Sequence, residues 1–381
     1  NAFNSQNPPL VFSSIQFKGF STKQRKYIRR IFHYNPNNPK TISYSRIKSG
    51  YFKMVSENYF SNVYPNIVYD SLRHAFQLQL TQRPQKNFQI EFGGVIATRD
   101  VSNIFLGLNF YNFGSQLLHI YGGFHTGNFY KSALIQARMD FPIHLYIEPE
   151  IGYDNWDYLE GDDLLREITP HTVLRRINRK YGVSIGMPVG NYFKSTVGIS
   201  GINNIDKYAN QNVYVSSDTL DELRLSGFKT EVSFSANTLN RKQYASAGKA
   251  YRFVAQYFNL KENFFPGSTS VLEEPLSTPR QWFRVKATAE QYFDAGWFRP
   301  GYYAEAVFSN QPFFKNYTGT IINAPAFFPL QDSRALLLEN FRAFNYVAGG
   351  LRNIFTLRNR IELRLEGYLF KPIEYLQPGE N

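Results

Sequence analysis

From residue 86 onward the chain alternates with period two, over segments longer than soluble strands normally run. Phe88, Ile90 and Phe92 alternate with Gln89 and Glu91; Ala133, Ile135, Ala137 and Met139 alternate with Gln136, Arg138 and Asp140. Phe283, Val285, Ala287 and Ala289 alternate with Arg284, Lys286, Thr288 and Glu290, and Ile361, Leu363 and Leu365 with Glu362, Arg364 and Glu366. Successive strand side chains point to opposite faces, so each segment presents one apolar face and one face carrying charges of both signs. A soluble sandwich alternates too. Three features favour a membrane barrel instead. The segments run about 10 to 15 residues, against a mode of about 5–6 for soluble strands and about 9–11 for a tilted spanning strand. Phe and Tyr gather at segment ends (Tyr111 and Phe113, Tyr292 and Phe293, Tyr368 and Phe370), as interfacial girdles do. Short connections (residues 299–301 and 358–360) alternate with long ones (161–174, 204–220, 265–279 and 324–339).

Composition agrees with this reading. Aromatic residues make up 17% of the chain, with 35 Phe and 27 Tyr but only 3 Trp. Mean hydropathy is −0.38, and no stretch approaches the roughly 20 apolar residues of a membrane-spanning helix, whereas barrel strands average out as polar. Cysteine is absent, which excludes thiolate metal sites, cysteine nucleophiles and disulfides. The net charge of +12 raises nucleic acid as a partner, but Lys and Arg stand singly on alternating segments (Arg284, Lys286, Arg364) without a basic stripe. Nucleic acid is therefore not expected. Such charges suit a polar lumen, or rims touching the anionic lipid and lipopolysaccharide of an outer membrane. The first residues, Asn1-Ala2-Phe3-Asn4, lack the charged and apolar regions of a signal peptide, so the chain reads as mature, processed or truncated.

Residues 10–85 differ. A strand ends at Gly19, and Ser21 with Gln24 forms a capping-box start. The helix that follows carries Tyr27, Ile28, Ile31 and Phe32 on one face, and a second helix carries Ile47, Tyr51 and Val55. Two extended runs, 62–69 and 72–80, complete the order strand, helix, helix, strand, strand. Residues 1–9 read as a linker and 86–381 as the barrel. About thirteen strands can be counted there, an odd number where single-chain bacterial barrels close with an even one, and the chain ends in Pro-Gly loop chemistry, so the barrel reads as truncated at its C-terminal end.

This arrangement resembles a POTRA domain followed by an Omp85-type barrel. In that superfamily the sixth extracellular loop, between strands eleven and twelve, carries an Arg-Gly-aromatic motif whose arginine folds back into the lumen. Here residues 324–339 follow the eleventh strand and lead into Phe341-Arg342-Ala343-Phe344, with Ala343 where the family has glycine. Gly349-Gly350 and residues 364–372 fall where strands twelve and thirteen belong. Asn345-Tyr346 and Leu365-Glu366-Gly367-Tyr368 look most like the barrels attached to patatin-like phospholipases of Bacteroidota-type bacteria. The resemblance implies a mainly β fold: an antiparallel transmembrane barrel, of sixteen strands in the family, behind one small α+β POTRA-like domain. It implies an outer-membrane address with that domain in the periplasm, and a role in polypeptide secretion, insertion or anchoring. The partners would be a polypeptide client or other outer-membrane proteins. A patatin domain, if present, would lie before residue 1 and would be the lipid acyl hydrolase. The barrel itself would hold no cofactor or metal.

The residues leave other readings open. Gly182-Val183-Ser184-Ile185-Gly186 matches a nucleophile elbow, which requires a sharp strand–turn–helix; here alternation puts Ser184 mid-strand on the lumenal side, and no catalytic role is assigned. An outer-membrane enzyme of phospholipase A type and a passive porin or transporter are the alternatives. His119 and His125 fall at the two ends of one hairpin, with polar packing the expectation. The acidic residues Asp154, Asp157, Glu160, Asp162 and Asp163 border a long loop and read as solvated charge rather than a calcium site. Arg342 is the sharpest candidate. Glu362 and Glu366 share one strand face at an even spacing, so a bidentate pair between Arg342 and one of them is expected in the lumen.

Overall fold

The computed structural model describes residues 11–37, 41–55, 63–72, 74–82, 87–96, 102–141, 145–158, 174–190, 193–209, 217–241, 244–270, 272–293, 295–329, 337–358 and 361–377. The linker expected at 1–9, and Glu160, Asp162 and Asp163 of the acidic cluster, lie outside them.

β1 (Val11–Lys18) turns at Gly19, whose φ of 83° strains any residue with a Cβ; a Cβ there would also meet the Gln82 carbonyl oxygen at 2.7 Å. α1 (Thr22–Ile31) begins at the expected capping box, with Ser21 Oγ accepting from Gln24 N and Gln24 Oε1 accepting from Ser21 N. Tyr27, Ile28, Ile31 and Phe32 are buried, as their spacing predicts. β2 (Ile42–Ser43), α2 (Tyr44–Val55), β3 (Val63–Asp70) and β4 (Ala75–Gln82) follow. The strand order is β2-β1-β4-β3, with β1 parallel to β4 and the other pairs antiparallel. Only the two-residue β2 is new relative to the expected order. The core joins Phe12, Ile28, Leu78 and Leu80 to Met54 of α2, which is fully buried.

The second sheet comprises β5 (Phe88–Val95), β6 (Asn103–Phe113), β7 (Leu117–Gly127), β8 (Tyr130–Phe141), β9 (Leu145–Asp157), β10 (Leu174–Val189), β11 (Phe193–Tyr208), β12 (Asp221–Asn237), β13 (Gly248–Phe265), β14 (Leu276–Tyr292), β15 (Phe298–Arg299), β16 (Gly301–Ser309), β17 (Tyr346–Arg358) and β18 (Ile361–Pro372). It is antiparallel and follows chain order, with β5 and β18 at its edges among the described residues. Residues 299–301 are not the turn expected from their Arg-Pro-Gly chemistry. Phe298 and Arg299 pair with Phe355 and Ile354 of β17, so β15 is the first part of the strand that continues as β16. Pro300 lacks an N–H and interrupts the ladder, while the chain reverses nearby at Gly296, whose φ is 76°. Counting β15 and β16 together gives thirteen strands among the described residues.

Register turns the period-two pattern into rows. Ile185, Val197, Val232, Ala255, Val285 and Phe308 face one another across β10 to β16; one position along, the row reads Ser184, Gly198, Glu231, Gln256, Arg284 and Ser309. The apolar row is the exposed one: Ile185, Val197, Val232 and Phe308 are 45%, 55%, 49% and 51% exposed. The charged row is half-buried or buried. A water-soluble sandwich has the opposite polarity, because hiding charge while wetting hydrocarbon is unfavourable on both faces. An apolar belt facing outward is the arrangement of a membrane barrel.

The small sheet belongs to a compact unit that also includes residues 108–121 and 137–147. Within it Gln24 Nε2 donates to the Phe113 carbonyl at 2.9 Å, Tyr27 meets Phe113 edge-to-face, and Tyr111 and Leu117 join the core. His119 and His125 lie on the same strand, β7, rather than at two hairpin ends. His119 Nε2 is 2.9 Å from Asn109 Oδ1 with its ring stacked on Tyr111, and His125 packs against Phe105.

Candidate functional site

The β16–β17 connection, residues 310–345, is the candidate site. It is longer than the 324–339 expected and carries a helix that sequence reading missed, α3 (Tyr317–Asn323). The Asn316 side chain caps it, accepting from Gly319 N and from the Tyr208 hydroxyl, each at 3.0 Å. Thr320 Oγ1 donates to the Asn316 carbonyl and accepts from Phe314 N. Phe314, Ile321 and Ile322 are buried. Phe314 and Ile322 pack on Leu223, Leu225, Phe258 and Trp282 of β12 to β14, residues on the otherwise polar face. After α3 the chain leaves and returns: Phe327 N donates to the Phe341 carbonyl and Ala343 N to that of Pro325. Residues 330–336 lie outside the described residues.

Three arginines converge on the C-terminal end of α3. Arg176 of β10 donates from Nε to Asp206 Oδ1 (2.8 Å), from Nη1 to the Ile322 carbonyl (3.0 Å) and from Nη2 to Asn323 Oδ1 (3.1 Å); Asn323 Nδ2 in turn donates to Asp206 Oδ2 at 2.8 Å. Arg342 donates from Nη1 to the carbonyls of Ile322 (2.8 Å), Ile321 (3.2 Å) and Ala324 (3.4 Å). Arg284 of β14 approaches the Asn323 carbonyl at 3.5 Å and donates to Gln311 Oε1 at 2.7 Å. Cations belong here, because the last turn of a helix leaves carbonyls unmatched and carries partial negative charge. Burial, and then the charge of Arg176, bring the Arg342 guanidinium down to about 10, so it remains cationic at neutral pH.

Arg342 is thus buried, at 7% exposure, but the expected pair with Glu362 or Glu366 is not formed. Glu362 accepts from Arg299 and Arg241, and Glu366 from Arg364 and the Tyr368 hydroxyl. The reason is longitudinal. β17 begins at Tyr346, opposite Pro372, whereas Glu366 lies opposite Arg352 and Glu362 opposite Thr356. At about 3.3 Å per residue those glutamates sit roughly 20 and 33 Å along the strand from the end where Arg342 enters, beyond the reach of any side chain. Arg352, like Arg176, joins the loop to a carboxylate: Nη1 is 2.6 Å from Glu290 Oε1, Nε donates to the Tyr368 hydroxyl at 2.7 Å, and Nη2 donates to the Pro329 carbonyl at 3.2 Å. Beside it, Glu305 accepts from Lys286 and the hydroxyls of Tyr303 and Tyr346. Of the remaining motif residues, Ala343 is fully buried beside Phe327, Phe344 meets Phe313 edge-to-face, and Phe341 is 39% exposed against Phe370.

Ser184 lies within β10 opposite Gly198, in regular ladder geometry with no strand–turn–helix around it. Asp157 pairs with Arg175, and Asp154 accepts from Asn178 and Trp156. Among the described residues no three His, Asp or Glu side chains are grouped to hold a metal ion.

No family model and no curated sequence matches the chain. Solved structures do resemble it. BamA from Haemophilus ducreyi lacking POTRA domains 1–3 superposes with a TM-score of 0.58 at 10% identity, over 96% of this chain and 73% of that one. CdiB from Escherichia coli gives 0.49 at 10% identity, over 95% and 65%, and CdiB from Acinetobacter baumannii gives 0.40 at 9%, over 96% and 71%. The BamA superposition, with the ordered antiparallel sheet and its inverted polarity, identifies the fold as a BamA-like β-barrel preceded by a small α+β sheet.

Proposed function

We propose that this chain is an outer-membrane barrel of the Omp85 type that secretes, inserts or anchors polypeptides, with residues 10–85 acting as a POTRA-like domain in the periplasm. One observation carries the reading: in a BamA-like fold, the β16–β17 connection doubles back onto the polar face and is fastened there by Arg176, Arg342 and Arg352. A passive porin keeps its polar face clear for solute. The exposed apolar rows support contact with membrane lipid, and lipopolysaccharide is the partner their outer-leaflet ends would meet. The strand–helix–helix–strand–strand order supports the POTRA-like assignment. A barrel-wall phospholipase finds no support at Ser184. The patatin-like, Bacteroidota-type affiliation rests on the resemblance within residues 341–372 alone, and an upstream reading frame encoding a patatin domain would establish it.

The test combines location, permeability and contact. The chain should fractionate with outer membranes, and liposomes holding it should swell slowly in small sugars. Photo-crosslinking residues placed at Ile90 of β5 and Leu365 of β18 should yield adducts with other outer-membrane polypeptides. Fast swelling without polypeptide adducts would replace this reading with a porin.

A further inference from the structure

A cavity of about 370 Å³ lies beside the end of α3. Three arginines line it, Arg176, Arg284 and Arg342, and no carboxylate lines it among the described residues. Asp206 answers Arg176. Arg284 and Arg342 have only neutral partners among the described residues: a glutamine oxygen and main-chain carbonyls. The Nε–H groups of both are buried without a protein partner, and so is the indole N–H of Trp282 in the same wall. All three unmatched groups are donors. Leaving a buried donor unmatched is unfavourable, and leaving a buried charge without a counter-charge is more so. The C-terminal end of α3 supplies at most about half a negative charge. Asp206 and Glu339 act on Arg342 without bonding it, and no carboxylate among the described residues acts on Arg284. An occupant that carries negative charge improves that balance. The adjoining wall is aromatic, with Trp282 stacked on Phe258 (centroids 4.6 Å apart, planes at 11°). The volume falls in the range of small-molecule sites, about 300–1,000 Å³.

We propose that this cavity binds a small organic oxyanion, a carboxylate or a phosphate ester, with its head on Arg284 and Arg342 and its apolar body against the Trp282–Phe258 stack. The site rests on these residues alone and not on the translocator reading. A planar, charge-assisted fork suits carboxylate and phosphate alike, so the head group is left to the experiment.

Two of the chain's three tryptophans, Trp156 and Trp282, line the cavity, so intrinsic fluorescence reports its occupancy. The full chain in detergent micelles is titrated at constant ionic strength with benzoate, phenyl phosphate and neutral benzamide. Benzoate, phenyl phosphate or both should give a saturable change, the tighter of them naming the head group, and benzamide should give none. Arg284→Gln should weaken the binding about tenfold or more, as loss of one charge-assisted fork implies. Arg252→Gln, on β13 outside the cavity lining, should leave it unchanged. No saturable response to either anion, an equal response to benzamide, or undiminished binding by Arg284→Gln overturns the proposal. Should Arg284→Gln not fold, the contrast between benzoate and benzamide on the unaltered chain decides the matter.

Discussion

Arg342 holds the β16–β17 connection by helix carbonyls, and Arg352 holds it by the Pro329 carbonyl while paired to Glu290. Among the described residues Arg342 bonds through Nη1, to three carbonyls, so its hold there does not use the planar fork. Arg342→Ala should lower unfolding stability by about 1.5–3 kcal/mol, the range for hydrogen bonds to a charged group. Arg342→Lys should retain most of that, since one nitrogen suffices; a lysine variant as unstable as the alanine one would show that the fork matters. Arg352→Ala should cost more, about 3–5 kcal/mol if the site is fully dry, because Glu290 is left without its cation and Pro329 without its tether. Denaturant midpoints of the refolded barrels compare the three variants on one scale.

At the scale of elements, the strands are legible in the sequence and α3 is not. Alternation runs through every long segment, and about thirteen strands can be counted from it, because a two-residue period is hard to mistake over about 10 residues. α3 has seven residues, too few for a helical period to show, and its Asn316 cap is a weak signal alone. Pro300 reads as a turn because its chemistry is the same at a strand break. The Arg342 partner is hidden from the sequence for a different reason. Face parity follows from spacing, but position along a strand follows from register, and only pairing reveals register. Burial of the motif arginine was foreseeable, its carbonyl partners were not. The helix itself is testable. Asn316→Ala should cost about 1–2 kcal/mol by removing its cap, and Asn316→Asp should restore most of it. Limited proteolysis of the β16–β17 connection should quicken in the first variant and not in the second.

For the whole molecule, polarity is the governing fact, and adjacent residues can probe it. Ile185→Lys places an ammonium in the exposed apolar row and should cost about 2–4 kcal/mol if that row lies near the bilayer midplane. Ser184→Lys, one position along and on the charged face, should be tolerated far better. Equal penalties, measured by folding into lipid vesicles, would mean that the apolar rows do not face lipid. The arginines at the end of α3 carry a further consequence, mechanical rather than energetic. Arg176 and Arg342 share one acceptor, the Ile322 carbonyl, and Arg284 approaches the next carbonyl along. A helix drawn away by a fraction of its length would release all of these contacts together and leave like charges confronting one another. Halfway positions are then the least comfortable, and the connection behaves as a catch that is either engaged or free. Pulled from one end, it should come out in a single step.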